Sequence, residues 1–340
     1  MIKLSVLDQS PVSEGSSPAE ALAQTAALAQ EAERLGYFRF WVAEHHFAPG
    51  LAGSSPEVLM AHLAAVTSSI RIGSGGILLP HYSAYKVAEN FRVLQALYPG
   101  RIDLGIGRAA GGGVLAVRAL QEYGKAGPDH YSLQIADLIA YLNNGADLHH
   151  RFAGLQAMPV VASPPEIWLL GSSRDSAELA ARLGTGLAFA HFINFSEGEA
   201  AMAAYRAHFC PSPLLLKPQG MVAVFAACAE TAEEADRLAS SMDLSAVLLD
   251  KTHVSTPTPS VESALSYPYT PYEKHIVNEN RKHILVGSPE EIRDQLLEIC
   301  ARFGCEEVII ASVMHDFSDK LKSYRLIAEA CGLAGRQSPS

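Results

Sequence analysis

No CxxC pair occurs anywhere in this chain, and its five cysteines, Cys210, Cys228, Cys300, Cys305 and Cys331, are odd in number. A disulfide framework or a zinc knuckle is therefore without support, and the thiols read as free groups in a reducing compartment. Positive charge is also scarce: 26 Lys and Arg stand against 36 Asp and Glu, for a formal charge of -10. An acidic surface repels phosphate backbones and anionic lipid, which argues against nucleic acid and against a polybasic membrane contact. Long apolar runs are missing as well. No uninterrupted stretch approaches the roughly 18–20 residues of a membrane span. The apolar part of Met1–Asp8 is too short for a signal peptide, so the expected location is the cytoplasm. What is present is 49% hydrophobic and only 18% charged residues, enough to build a large core and too apolar for disorder.

Apolar strands and Ala/Leu-rich helices alternate almost from end to end. The strands are expected at Ile2–Leu7, Phe38–Ala43, Ile70–Leu79, Ile102–Gly107, Glu166–Leu170, Gly186–His191, Met221–Ala229 and Glu307–Val313. Helices are expected at Pro18–Leu35, Ser55–Thr67, Tyr85–Leu97, Ser173–Leu183, Ser196–Phe209, Thr231–Ser241 and Phe317–Ala330, with an extra one at Ser288–Phe303. Strands each followed by a helix predict an α/β chain folded as a (β/α)8 TIM barrel, a single domain over 1–340. No strand followed by GxGxxG opens the chain, which disfavours a doubly wound sheet. Two stretches break the rhythm: about 109–165 after strand four, with a helical piece at Ser132–Asn143, and 244–283 after strand seven. The second carries Pro257, Pro259, Pro268 and Pro271 among Ser, Thr and Tyr, and is expected to be a loop that lies over the site, its Tyr267, Tyr269 and Tyr272 shaping the pocket.

Catalytic residues of barrels collect at strand ends. Arg108 ends strand four, and Gly171-Ser172-Ser173-Arg174-Asp175-Ser176 ends strand five and opens a helix. The serines alone would be an ordinary helix cap. With a guanidinium on the adjacent strand they become a phosphate cradle, because the backbone N–H groups and dipole of a helix start favour an anion. Gly75-Gly76 on strand three offers a wall without side chains, on which a flat ring could lie. The adjacent pair His45 and His46 ends strand two. One imidazole can face the mouth and handle a proton near neutral pH, and His46 is expected to be structural. No third ligand at a recognisable spacing accompanies them, so no metal is expected.

These same segments resemble the bacterial luciferase-like monooxygenases. The likeness rests on Trp41-Val42-Ala43-Glu44-His45-His46-Phe47, on Gly73-Ser74-Gly75-Gly76-Ile77-Leu78-Leu79-Pro80, on Gly100-Arg101-Ile102-Asp103-Leu104-Gly105-Ile106-Gly107-Arg108, and on Ser173 and Ser176. The Asp8-Gln9-Ser10-Pro11 opening is similar to that of a subgroup of luciferase-like oxidoreductases. The resemblance implies a barrel that pairs as a homodimer through helices near the second and third strands. It implies reduced FMN, supplied by a separate flavin reductase, used with O2 to oxidise an aldehyde or another small organic substrate. By the same resemblance His45 is the catalytic histidine and Gly75–Gly76 carries a cis peptide under the flavin. The cofactor contacts fall to Gly171, Ser172, Arg108, Ser173 and Ser176, and His191 takes the place of an aromatic residue beside the flavin. The family's reactive cysteine is Gly107 here, its acidic residue before the phosphate serine is Ser172, and the 244–283 region does not match, so light emission does not carry over. Two alternatives stand beside this reading. One is an F420-dependent oxidoreductase, whose longer acidic cofactor would ask for more cations than Arg108 and Arg174. The other is a non-catalytic flavin-binding protein.

Overall fold

The computed structural model describes residues 2–122, 130–143, 150–333 and 335. Its strands are β1 (Lys3–Asp8), β2 (Arg39–Val42), β3 (Arg71–Ser74), β4 (Ile77–Leu78), β5 (Ile102–Gly107), β6 (Glu166–Gly171), β7 (Gly186–Ala190), β8 (Gly220–Cys228), β9 (Ile284–Gly287) and β10 (Glu307–Ala311). Neighbours run β10-β1-β2-β3-β5-β6-β7-β8, and β8 pairs with β10 to close the ring. Every ladder is parallel. The result is a closed eight-stranded (β/α)8 barrel, with β4 and β9 appended at its rim.

The helices that wrap it are α1 (Pro18–Leu35), α2 (Pro56–Val66), α3 (Ala84–Leu97), α6 (Arg174–Leu183), α7 (Gly198–Ala207), α8 (Ala232–Thr252), α11 (Pro289–Phe303) and α12 (Phe317–Ala330). Their starts are written locally. Ser17 and Glu20 cap α1 reciprocally, Pro18 fits its first turn, and Gly36 ends it at a left-handed φ of 88°. Ser288, Pro289 and Glu291 do the same for α11.

Strand alternation sorts the core into two zones. Leu4, Val6, Phe40, Val42, Val308 and Ile310 point outward, into the shell between strands and helices. The inward residues stack in three layers. At the N-terminal end Arg39 bonds Glu307 and Asp103, both at 2.7 Å, and Ser5 donates to Glu307 at 2.6 Å. Above it Trp41 and Trp168 meet edge to face, with centroids 5.9 Å apart. They fit because Gly73 and Gly186 face them. A Cβ at either glycine would come within 2.3 or 2.5 Å of an indole atom. The third layer is small, with Ala43, Ala188, Ala223 and Ala311 lining the interior. A barrel filled with ions and indoles at one end and with alanines at the other is hollow at the C-terminal end, where strand-following loops converge.

Two expectations need correction. The run Ile70–Leu79 is not one strand. It is β3 and β4 on either side of a cis Gly75–Gly76 bond, with β4 paired to β5. The stretch after strand seven is not a loop over the site. Helix α8 continues to Thr252, followed by α9 (Val261–Ser266), α10 (Pro271–Arg281) and then β9, which extends the sheet beside the end of β8. Pro271 sits in the first turn of α10, behind a reciprocal Thr270–Glu273 cap. Tyr267 donates to Glu273 at 3.1 Å, and none of Tyr267, Tyr269 and Tyr272 lines the hollow. Residues 255–258 instead brace the loops after β1 and β2 from outside: Gly50 N–H donates to Ser255, and Thr258 bridges to Ser13. The stretch after strand four holds α4 (Val114–Leu120) and α5 (His130–Leu142), with 123–129 and 144–149 outside the described residues. Among the described residues no helix is long and apolar enough to cross a membrane.

Candidate active site

A cavity of about 460 Å3 occupies the hollow end of the barrel. Of the residues singled out from sequence, His45, Gly75, Gly76, Arg108, Gly171, Ser172, Ser173 and Ser176 all line it.

The glycine pair forms part of its floor. A Cβ on Gly75 would come within 2.6 Å of Leu7, and one on Gly76 within 2.7 Å of the Gly105 carbonyl. Ser74 fastens the strand beneath by donating to the Gly105 carbonyl at 2.8 Å and accepting from its N–H at 3.0 Å. Backbone is therefore presented to the cavity where any side chain would collide.

The wall opposite is the start of α6. Ser173 and Ser176 cap each other, and the Ser176 hydroxyl donates to the Ser173 carbonyl at 2.7 Å. A Cβ on Gly171 would strike the Ser176 hydroxyl at 1.9 Å, so only glycine lets the helix start lie this close to β6. Arg108, at the end of β5, is exposed and makes no hydrogen bond or ion pair among the described residues. The cavity thus holds, along one wall, a guanidinium without an ion pair among the described residues and the start of a helix, two features that each favour an anion.

His45 follows β2, its N–H held by the Gly53 carbonyl at 2.9 Å. Its Nδ1 is buried without a hydrogen-bond partner among the described residues. Burial first, and then the neighbouring His46, lower its pKa below the ordinary 6.5, so the ring is neutral at pH 7. His46 turns away from the cavity. Its Nε2 lies 2.7 Å from Glu44, whose buried carboxylate also accepts from Tyr82 at 2.5 Å and from the Leu78 N–H at 2.9 Å. Glu44 thus ties the histidine loop to the strand that follows the glycine pair.

His191 is misplaced by the sequence reading. In β7 the inward positions are Ala188 and Ala190, and alternation sends His191 out of the barrel. Its ring packs on Phe303, with centroids 5.0 Å apart, and on Phe195. The aromatic side chain that lines the cavity from this loop is its neighbour Phe192. Sequence reasoning also missed Trp41, Tyr131 and Asp175 as lining residues. For Trp41 and Phe192, period-two counting from Ala43 or Ala188 would have found them. For Tyr131, in α5, no such register exists. Among the described residues, no group of three or more His, Cys, Asp or Glu side chains is placed to hold a metal ion.

The family model described as luciferase-like monooxygenase matches residues 2–307. The chain is 51% identical to the uncharacterised protein YwcH of Bacillus subtilis, over 97% of this chain and 99% of that one. It is 40% identical to an N-acetyl-S-alkylcysteine monooxygenase of the same organism, over 99% and 100%. The crystal structure of apo-MsnO8 superposes with a TM-score of 0.90 at 41% identity, covering 99% of this chain and 100% of that one. Hollow barrel, glycine floor and sequence match agree, and the chain belongs to the luciferase-like monooxygenase family.

Proposed function

We propose that the cavity takes reduced FMN and that the protein uses it, with O2, to oxidise a small organic molecule. The observation that carries this reading is the pairing, in one cavity, of the unneutralised Arg108 and the α6 start on one side with a floor free of side chains on the other. The first suits a phosphate tail and the second a flat ring system. When bound, the flavin supplies the redox chemistry with oxygen that no side chain here can perform.

The chain's own residues hold and shield. Arg108 and the first turn of α6, with Gly171, Ser172, Ser173 and Ser176, bind the tail. Gly75 and Gly76 bear the ring. His45, neutral and lining the cavity, accepts or delivers a proton at its ring nitrogens. Trp41, Leu7 and the alanines exclude water. FMN fits better than the more acidic F420. Arg174 is already engaged with Glu178 at 2.8 Å, and Asp175 adds a negative charge at the mouth, which leaves Arg108 as the free cation of the cavity among the described residues. Reduced FMN would come from a separate reductase. Aldehydes and, given the name of the 40%-identical relative, small thioethers are the substrate classes to try first. Copies of the chain would pair through α2 and α3, whose outer faces expose Val58, Val93 and Leu97. A monomer in light scattering would remove that part of the reading.

The test is direct. FMN and F420 are titrated into the protein and followed by fluorescence, and turnover is then assayed with chemically or enzymatically reduced FMN, O2 and candidate substrates. FMN should bind the tighter of the two. A preference for F420 overturns the assignment.

A further inference from the structure

Helix α11 ends at Gly304, whose φ of 59° turns the chain back on itself. The N–H groups of Gly304 and Cys305 then both donate to the Cys300 carbonyl, the second at 3.1 Å. A helix that ends this way brings the side chain of the accepting residue against that of the residue beyond the glycine. Three other helices here end alike. Tyr37 donates to Ala32 at 3.0 Å, Thr185 to Ala180 at 3.2 Å and Leu333 to Ala328 at 2.9 Å. Those pairs make an ordinary packing contact. At α11 both positions are cysteine, so the same backbone geometry sets two thiols side by side. The turn is held in place: Arg206 of α7 donates to the Phe303 and Gly304 carbonyls at 2.5 and 3.2 Å, and Lys3 of β1 donates to Glu306 at 2.8 Å.

Both sulfurs are reduced. A disulfide asks for α-carbons about 4.4–6.8 Å apart, a range that an N–H-to-carbonyl bond between the two residues keeps within reach. Cys305 is half-buried and lines an open cavity of about 320 Å3 at the N-terminal end of the barrel, on the side away from the candidate active site. A small oxidant can therefore reach the pair. We propose that Cys300 and Cys305 form an oxidisable dithiol, which hydrogen peroxide converts to a reversible disulfide across the end of α11. The two thiols are chemically unequal. The Cys305 thiol donates to the Cys300 sulfur, which lowers the Cys300 pKa, while that same bond and burial raise that of Cys305. Cys300 is thus the sulfur that gives up its proton and attacks. Its thiolate forms an S–O bond as the peroxide O–O bond breaks, and the departing hydroxide takes a proton to become water. Cys305 then forms the S–S bond, displacing the sulfenic oxygen, which leaves as a second water with the Cys305 proton. Two thiols lose two electrons and one peroxide gains them. The dithiol stands without the FMN reading above.

The test treats the reduced full chain with hydrogen peroxide, unfolds it and counts free thiols. Five should fall to three, with a loss of two hydrogen atoms in intact mass, and dithiothreitol should restore all five. Tryptic cleavage after Arg302 separates the two cysteines, so the bond appears as a cross-link between two peptides. Cys305→Ser removes the resolving thiol, and dimedone should then label Cys300 in that variant and not in the wild type. Five thiols surviving peroxide would overturn the proposal. So would a cross-link to Cys210, Cys228 or Cys331, a loss that dithiothreitol does not reverse, or dimedone on other cysteines with none on Cys300. The wild-type map needs no variant to fold.

Discussion

A single neutral imidazole beside a glycine floor is the residue on which turnover should depend. His45→Ala leaves Arg108, the α6 cap and Gly75–Gly76 untouched. FMN affinity should therefore hold while product formed per reduced flavin falls by about 100-fold or more, the usual worth of a positioned acid or base. Full turnover in that variant would remove His45 from the chemistry. Because burial keeps its pKa below the ordinary value of 6.5, the acid limb of the wild-type profile should lie below pH 6.5. Arg108→Ala should do the reverse. FMN binding weakens by roughly tenfold or more while riboflavin binding stays, because only the phosphate sees the guanidinium. These residues were legible in the sequence because each is chemically unusual where it stands: a cation or a glycine pair at the end of an apolar strand. Tyr131 was not, since a tyrosine in a long excursion carries no mark of which way it faces.

At the scale of the element, one error follows from a rule applied one residue out of step. His191 has the right chemistry and the wrong parity. Placed among Phe303, Phe195 and His283, it is an outer-shell residue. The four-residue β9 and the short α9 and α10 were hidden for another reason. Proline and serine mark loop in a linear reading, yet Pro271 and Thr270 here start a helix. The placement of His191 has a measurable consequence. Burial first, and then the charges of Arg302 and His283, lower its pKa in the folded state. As pH falls below about 6.5 the unfolded chain takes up this proton before the folded one does. Its contribution to stability is thus complete above that pH and declines toward the lower folded value. His191→Phe should therefore shrink, without abolishing, the loss of melting temperature between pH 7.5 and 5.5, since His45 and His283 are lowered too. FMN affinity should not change. An unaltered pH slope would show that His191 is not a source of the acid sensitivity.

Taken whole, the molecule divides its labour along the barrel axis: ions at the bottom, indoles in the middle, a hollow at the top. The bottom layer centres on Arg39, which reaches from β2 to Glu307 on β10 in one direction and to Asp103 on β5 in the other, with Glu166 of β6 at 3.3 Å. Its guanidinium also lies over Trp168, so the ionic layer supports the indole layer that floors the site. Burial works against this charge, but Asp103, Glu307 and Glu166 outweigh it and keep Arg39 firmly protonated. Replacing it with methionine fills similar volume and leaves the buried Glu307 without a cation, while Asp103 and Glu166 keep Arg71. Arg39→Met should then cost about 3–5 kcal/mol of stability near pH 7, as for other buried pairs that lose one partner. The sign of its pH dependence is diagnostic. A buried carboxylate stripped of its cation is best kept neutral, so the deficit relative to wild type should narrow between pH 7.5 and 5. Denaturant titrations of both proteins at pH 7.5 and 5 decide it. A deficit that is constant with pH would mean that Arg39 acts by packing on Trp168 alone, and that the charges beneath the site are incidental to the shape of the barrel.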